Sequence, residues 1–377
     1  MNFIYLDNAA TTPLIPEVKS YIIELLDQFY NPSSLYQGGI DARQIIEQAR
    51  KNVSEFINGK SENIIFTSSG SAANTLVIKG LTTENPLLNE YTVFYSPTAH
   101  KSMIEACKSC ISNIALKVNK YGEIDLEYLD SVLREYSIHK PLVCIEAANS
   151  EIGTINSIIS IAKMVHEYDG LIFVDATGYI PSLKVDMEFY NSIDFLTFSG
   201  HKLHAFKGIG VVYKNSDAQL KPLVYGSQEK SLFAGTENVL GIASLGEAVK
   251  IYDYSSISSE NRDYVYDYII KEIPDSYLIG APFEHRLPHN LYMCFKGIQG
   301  EPLMILLDMN GIQVSTGSAC TSGDLQPSSA LTAIGMDKED INSCIRMTFN
   351  GNETKEELDY VCSKLKECVE RLRNFSK

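Results

Sequence analysis

Short, unbroken apolar runs recur along most of this chain, and a segment with helical spacing or a polar break separates each from the next. Ile64-Ile65-Phe66-Thr67, Thr92-Val93-Phe94-Tyr95, Leu142-Val143-Cys144-Ile145, Leu171-Ile172-Phe173-Val174, Phe195-Leu196-Thr197-Phe198 and Ile209-Gly210-Val211-Val212-Tyr213 are such runs. A strand with one wet face alternates apolar and polar residues, whereas a strand buried on both faces does not. Between the runs, Val18, Ile22, Leu25, Leu26 and Phe29 repeat at helical spacing, as do Ile46, Ala49, Val53 and Phe56. Further helices are expected over 101–112 and 158–168. The pattern predicts an α/β protein whose mostly parallel sheet is covered on both faces. Ligands of such sheets gather at the carboxyl ends of the strands, so residues just past each run are the candidates for chemistry.

The character changes at Ser255-Ser256-Ile257-Ser258-Ser259-Glu260, a polar stretch that reads as a linker or helix cap. We place a large domain at 15–255, and a smaller α+β domain made from 1–14 and 256–377. A charged amphipathic helix is expected over 354–372. The 377 residues suffice for two cores. The net charge of −15 argues against nucleic acid and anionic membranes as main partners. The N-terminal residues lack a secretory pattern, so a cytoplasmic location is expected. The eight cysteines are scattered, which favours reduced thiols over a disulfide framework. Cys107 and Cys110 read as an ordinary helical pair rather than half of a zinc site, and Cys144 and Cys294 as buried small hydrophobes.

Chemistry-bearing residues fall after the strands. Gly70-Ser71 opens a helix, where backbone N–H groups and the helix dipole favour an anion. Asp175 closes an apolar strand, and a carboxylate there needs a cationic partner or serves as a cap. Ser199-Gly200-His201-Lys202 follows the next strand: the first three suit phosphate, and a buried lysine can form a Schiff base with an aldehyde. Lys202 is otherwise a surface lysine. His100, in Pro97-Thr98-Ala99-His100, could lie over a cofactor ring. Ser315 to Gly323 is a small, polar loop carrying Cys320 free of bulky neighbours, a candidate nucleophile. Arg346, inside the apolar Ile345-Arg346-Met347, suits a bidentate carboxylate or a structural salt bridge.

These motifs resemble, over nearly the whole chain, the NifS/IscS-like cysteine desulfurases of the class V aminotransferase family. The resemblance rests on Tyr5 to Pro13, Asn31-Pro32-Ser33-Ser34, Phe66-Thr67-Ser68, Glu151-Ile152-Gly153, Val174-Asp175-Ala176-Thr177, Ser199-Gly200-His201-Lys202, Lys207-Gly208-Ile209-Gly210, Gly235-Thr236 and Gly317 to Ser322. It implies the fold type I architecture of pyridoxal 5'-phosphate (PLP) enzymes, with a seven-stranded sheet in the large domain. It implies that Lys202 carries the cofactor, Asp175 pairs with the pyridine nitrogen, and His100 stacks on the ring and helps move protons. Gly70, Ser71, Ser199 and His201 would bind the phosphate, with Thr236 reaching in from the second subunit of a homodimer. Arg346 would hold the carboxylate of L-cysteine, with Asn31 and Ser150 nearby. Cys320 would take the sulfur and pass it to a protein acceptor. The acceptor and the pathway stay open, whether iron–sulfur clusters, thiolated tRNA or others. Other readings on the same scaffold are a selenocysteine lyase, an aminotransferase, or a paralogue that mainly binds a partner.

The chain departs from the family around the cofactor. Gly178 stands where a glutamine normally meets the phenolic oxygen, and Ser150 replaces an asparagine. Ala72 replaces a glutamate, Ala99 an acidic residue, and Phe233 an arginine. His204-Ala205-Phe206 stands for the usual Tyr-Gly-Pro. His204, Tyr179 or a water is expected to replace the missing glutamine.

Overall fold

The computed structural model describes residues 3–375 apart from 84, 137 and 317–327. A short strand β1 (Ile4–Tyr5) precedes the main sheet. That sheet is built from β2 (Ile64–Thr67), β3 (Tyr91–Tyr95), β4 (Asn113–Ala115), β5 (Lys140–Glu146), β6 (Leu171–Asp175), β7 (Phe195–Ser199) and β8 (Gly210–Lys214). Its seven strands lie in the order β2-β8-β7-β6-β5-β3-β4. From β7 to β4 every pairing is parallel, and only β8 runs against its neighbours. Because β2 is antiparallel to β8, it points the same way as β7. The carboxyl ends of β2, β3, β5, β6 and β7 therefore share one edge.

The missing polar alternation has a direct cause. Cys144, Phe173 and Phe195 enter a core with the helices Gly70–Leu81 and Lys101–Lys108. Their strand neighbours Val143, Ile172, Val174 and Leu196 enter the opposite core, with Gln37–Phe56, Ile158–Glu167 and Val239–Lys250. Both faces are dry, so both sets are apolar. Two of the covering helices approach closely at Gly246, where a Cβ would sit 2.5 Å from that of Ala49.

A second sheet follows, in the order β12 (Ser315–Thr316), β13 (Cys344–Thr348), β10 (Asn290–Phe295) and β9 (Ser276–Leu278). β1 pairs in parallel with β11 (Ile312–Gln313) and ties the first residues to this part. Helices Glu260–Glu272, Gly300–Met309 and Lys355–Phe375 supply its core, which includes Val265, Leu303 and Leu365. Cys107, Cys110, Cys144 and Cys294 are free and buried. No described helix is long and apolar enough to cross a membrane. The sequence reading lacks β4, a three-residue edge strand, and the helices Leu126–Glu135 and Val239–Lys250.

Candidate active site

One end of the candidate site starts where β2 gives way to a helix. Ser69 caps that helix by accepting the Ala72 N–H at 3.1 Å. A Cβ on Gly70 would lie 3.2 Å from Ser199 Cβ and 3.5 Å from Thr177 Oγ1, so the helix start packs onto the ends of β6 and β7. Gly210 makes this possible, since a Cβ there would lie 2.3 Å from the Ser69 carbonyl carbon. Ser71 is exposed in the first turn, and Ser199 is buried. The N–H groups of a helix's first turn lack partners within the helix and favour an anion. His201 turns Nδ1 toward Thr11 Oγ1 at 3.2 Å. Burial, then the Lys202 and Lys207 cations, push His201 down to about 4.

Asp175 ends β6, buried, and accepts from Asn74 Nδ2 at 2.8 Å and from the Thr177 N–H at 2.9 Å. No described basic side chain forms an ion pair with it. A buried carboxylate served only by neutral donors leaves room for a cationic ligand group. Lys202 lies in the one-turn helix Gly200–Lys202 just past β7. Burial and the Arg346 cation lower its pKa to about 8, against the pull of Asp175 and Asp7. His100 caps the helix Lys101–Lys108 by accepting the Ser102 N–H on Nδ1 at 3.2 Å. The residue as a whole is exposed in this chain. Even so, the surrounding protein and the Lys202 cation hold it below the ordinary histidine pKa, opposed by Asp175.

Arg346 is buried on β13, with Nη2 on Asp7 Oδ1 at 2.8 Å and Nη1 on the Ser150 carbonyl at 3.2 Å. The salt bridge is therefore real. Its Nε has no partner among the described residues, so one face of the guanidinium is still unspent. Glu151 lies close by, accepting from Tyr292 at 3.2 Å. Burial raises its pKa to about 7 against hydrogen bonds from Ser328 and Tyr292 and the charge of Arg346.

Several expectations land elsewhere. Asn31 is exposed, its side chain accepts the Ser33 N–H at 2.9 Å, and no hydrogen bond joins it to Arg346. Ser150 meets Arg346 through its carbonyl; its Cβ packs beside Gly178. Thr236 is exposed on a surface loop. Cys320 lies outside the described residues. Neither side chain proposed to replace the glutamine is aimed at the site. Tyr179 puts its hydroxyl 3.2 Å from that of Tyr190, and His204 its Nδ1 2.8 Å from the Pro13 carbonyl. The cause at His204 is its left-handed backbone, φ 61°, fixed by the N–H donated to Thr12 Oγ1.

Residues the sequence did not flag complete the site. Buried Asn74 joins Asp175 to Ser102, and Thr197 donates to its carbonyl at 2.6 Å. Glu146 ends β5 in register with Asp175 and accepts from Thr98, two residues before His100, at 2.5 Å. Burial raises its pKa. Glu146 follows an apolar run just as Asp175 does, and Asn74 is a polar residue inside an apolar helix; those are the sequence signals that could have found them.

Together the groups suit a flat, anionic aldehyde: an anion cup, a carboxylate for a ring cation, a lysine of lowered pKa and an imidazole. The comparisons agree. The family model for aminotransferase class-V matches residues 4–361. The cysteine desulfurase IscS of Dictyoglomus turgidum is 36% identical, covering 99% of this chain and 96% of the relative. Cysteine desulfurase IscS 1 of Archaeoglobus fulgidus is also 36% identical, over 99% of this chain and 98% of the relative. A solved NifS-like protein, 28% identical, superposes over 98% of this chain and 100% of that one with TM-score 0.89. A structure of SspA in complex with cysteine, 26% identical, covers 93% of this chain and 100% of that one with TM-score 0.79. The chain therefore belongs to the class-V aminotransferase family.

Proposed function

We propose that this protein is a PLP-dependent cysteine desulfurase, converting L-cysteine to L-alanine and moving its sulfur first to Cys320 and then to an acceptor. The observation that carries this reading is the meeting of Lys202, Asp175 and the Gly70 helix start at one sheet edge. The names of the relatives give the substrate class. Gly70, Ser71, Ser199 and His201 would hold the phosphate, Asp175 the ring nitrogen, His100 a ring face and Lys202 the aldehyde carbon. When bound, pyridoxal phosphate supplies an electron sink that makes the α-proton of an amino acid acidic.

The chain's own residues do the rest. Arg346 would hold the substrate carboxylate, and Asp7 and the Ser150 carbonyl keep the guanidinium from swinging away. With a pKa of about 8, Lys202 has a neutral fraction near neutral pH and can take the α-proton. The Cys320 thiolate attacks the substrate sulfur, the carbon–sulfur bond breaks, and Cys320 is left as a persulfide. A proton added at the substrate β-carbon, and the proton held by Lys202 returned to the α-carbon, give alanine. The protein is a homodimer in this reading. Exposed Ile23, Leu26, Phe29, Leu35 and Tyr36 support an apolar face that needs covering, and exposed Thr236 is free to reach a neighbouring subunit.

The test is incubation of the PLP-loaded protein with L-cysteine and a thiol reductant. Alanine and sulfide should appear together and be lost in Cys320→Ser and Lys202→Ala. Transamination products that persist in Cys320→Ser would replace this reading with an aminotransferase.

A further inference from the structure

Asn74 is 1% exposed, and both protons of its amide nitrogen are committed. Nδ2 donates to Asp175 Oδ2 at 2.8 Å and to Ser102 Oγ at 3.1 Å, while Oδ1 accepts from Thr197 at 2.6 Å. A carboxylate only accepts, so the amide cannot be flipped without setting oxygen against oxygen. Ser102 Oγ, already accepting from Asn74, has its own proton to give, and His100 Nδ1 lies 2.8 Å away. The Ser102 backbone N–H, which can only donate, points at the same Nδ1 from 3.2 Å. Two donors converge on one ring nitrogen, so that nitrogen must carry the lone pair.

We infer that Asn74 and Ser102 are positioning residues that hold His100 as the neutral tautomer with its proton on Nε2. The same amide links that choice to Asp175 on the far side of the site. In this state His100 presents N–H, not a lone pair, at Nε2. It donates a hydrogen bond to a sulfur or carboxylate oxygen of the bound amino acid and does not serve as a base. Donors on Nδ1 favour the neutral ring and keep its pKa down. Of the charges facing it, Lys202 acts in the same direction and Asp175 against. The use of this tautomer rests on the proposed desulfurase reading; the tautomer itself does not.

The test is long-range ¹H–¹⁵N correlation spectroscopy of the PLP-loaded enzyme labelled with ¹⁵N-histidine, with His100 assigned by its loss in His100→Gln. The wild type should show an unprotonated Nδ1 and a protonated Nε2 at pH 8, with protonation setting in below the ordinary histidine range. Ser102→Ala should raise the His100 pKa toward ~6.5. It should also lower kcat several-fold with KM little changed, and move the acid limb of kcat/KM upward. Ser102→Thr, which keeps the hydroxyl, should restore all three. Asn74→Ala should produce the same shift without touching Ser102. A proton on Nδ1 in the wild type, or the same His100 titration in wild type and Ser102→Ala, overturns the inference. An Nε2–H tautomer in a protein that makes no alanine from cysteine sinks the desulfurase reading instead.

Discussion

Gly178→Ala adds one methyl group where the family resemblance leads one to expect a glutamine, and it should destabilise the protein. A Cβ at this position lies 2.7 Å from the Ala148 carbonyl oxygen, and 3.3 Å from both the Cβ and the N of Ser150. The obstacle is backbone, and that backbone is pinned. Asn149 donates to the Thr98 carbonyl at 2.6 Å and accepts the N–H groups of Glu151 and Ile152, each at 2.9 Å. Overpacking costs about 1–3 kcal/mol, and a contact that cannot relax by rotating a side chain belongs in the upper half of that range. At ~2–4 °C per kcal/mol, the melting temperature should fall by about 4–12 °C. Differential scanning calorimetry of cofactor-free protein measures this directly. Gly178→Gln should fall at least as far, and should shift the visible absorbance of the loaded enzyme and its pH titration. An unchanged or higher melting temperature in Gly178→Ala would refute the packing argument. The missing glutamine is thus not an empty socket, because Ala148 and Ser150 have closed in on its place.

Other predictions follow from the same geometry. Arg50 and Glu229 form a buried pair at 2.8 Å, with Glu229 also accepting the Phe66 N–H; Arg50→Ala should cost about 3–5 kcal/mol in urea unfolding, since it strands the carboxylate. Glu151 keeps its proton up to about pH 7 in the folded chain, whereas the unfolded chain releases it near ~4.3. The folded state then binds more protons across that window, so wild-type stability drops as pH rises from the lower value to the upper one. Glu151→Gln should remove that drop, seen as a flatter melting temperature against pH. In cofactor-free protein, acylation of Lys202 should rise with a half-point near pH 8, and a half-point at an ordinary lysine value would contradict its burial.

The large sheet was legible because its strands are dry on both faces. Phe173 and Val174 point into opposite cores, so the run had to be apolar throughout. β4 was not legible, because three half-wet residues at an edge leave no pattern. Lys202, Asp175 and Gly70 could be read from their places after strands, and the structure gathers them at one sheet edge. Asn74, Ser102 and Thr197 could not be read that way. Their meaning comes from partners 28, 101 and 123 residues away, which no local spacing encodes. His204 and Tyr179 failed as replacements for a related reason. Proximity in sequence placed them beside the cofactor motif, while a left-handed turn and a tyrosine pair direct their side chains elsewhere.

The central claim is that sulfur leaves cysteine for Cys320 while the carbon skeleton leaves as alanine. One measurement tests it most directly: a single turnover of PLP-loaded enzyme with L-cysteine and no reductant, quantifying alanine and mapping added sulfur by peptide mass spectrometry. The account predicts one alanine for each sulfur atom added, with that sulfur on the Cys320 peptide. Alanine formed with the Cys320 peptide unmodified, or sulfur added without alanine, would contradict it.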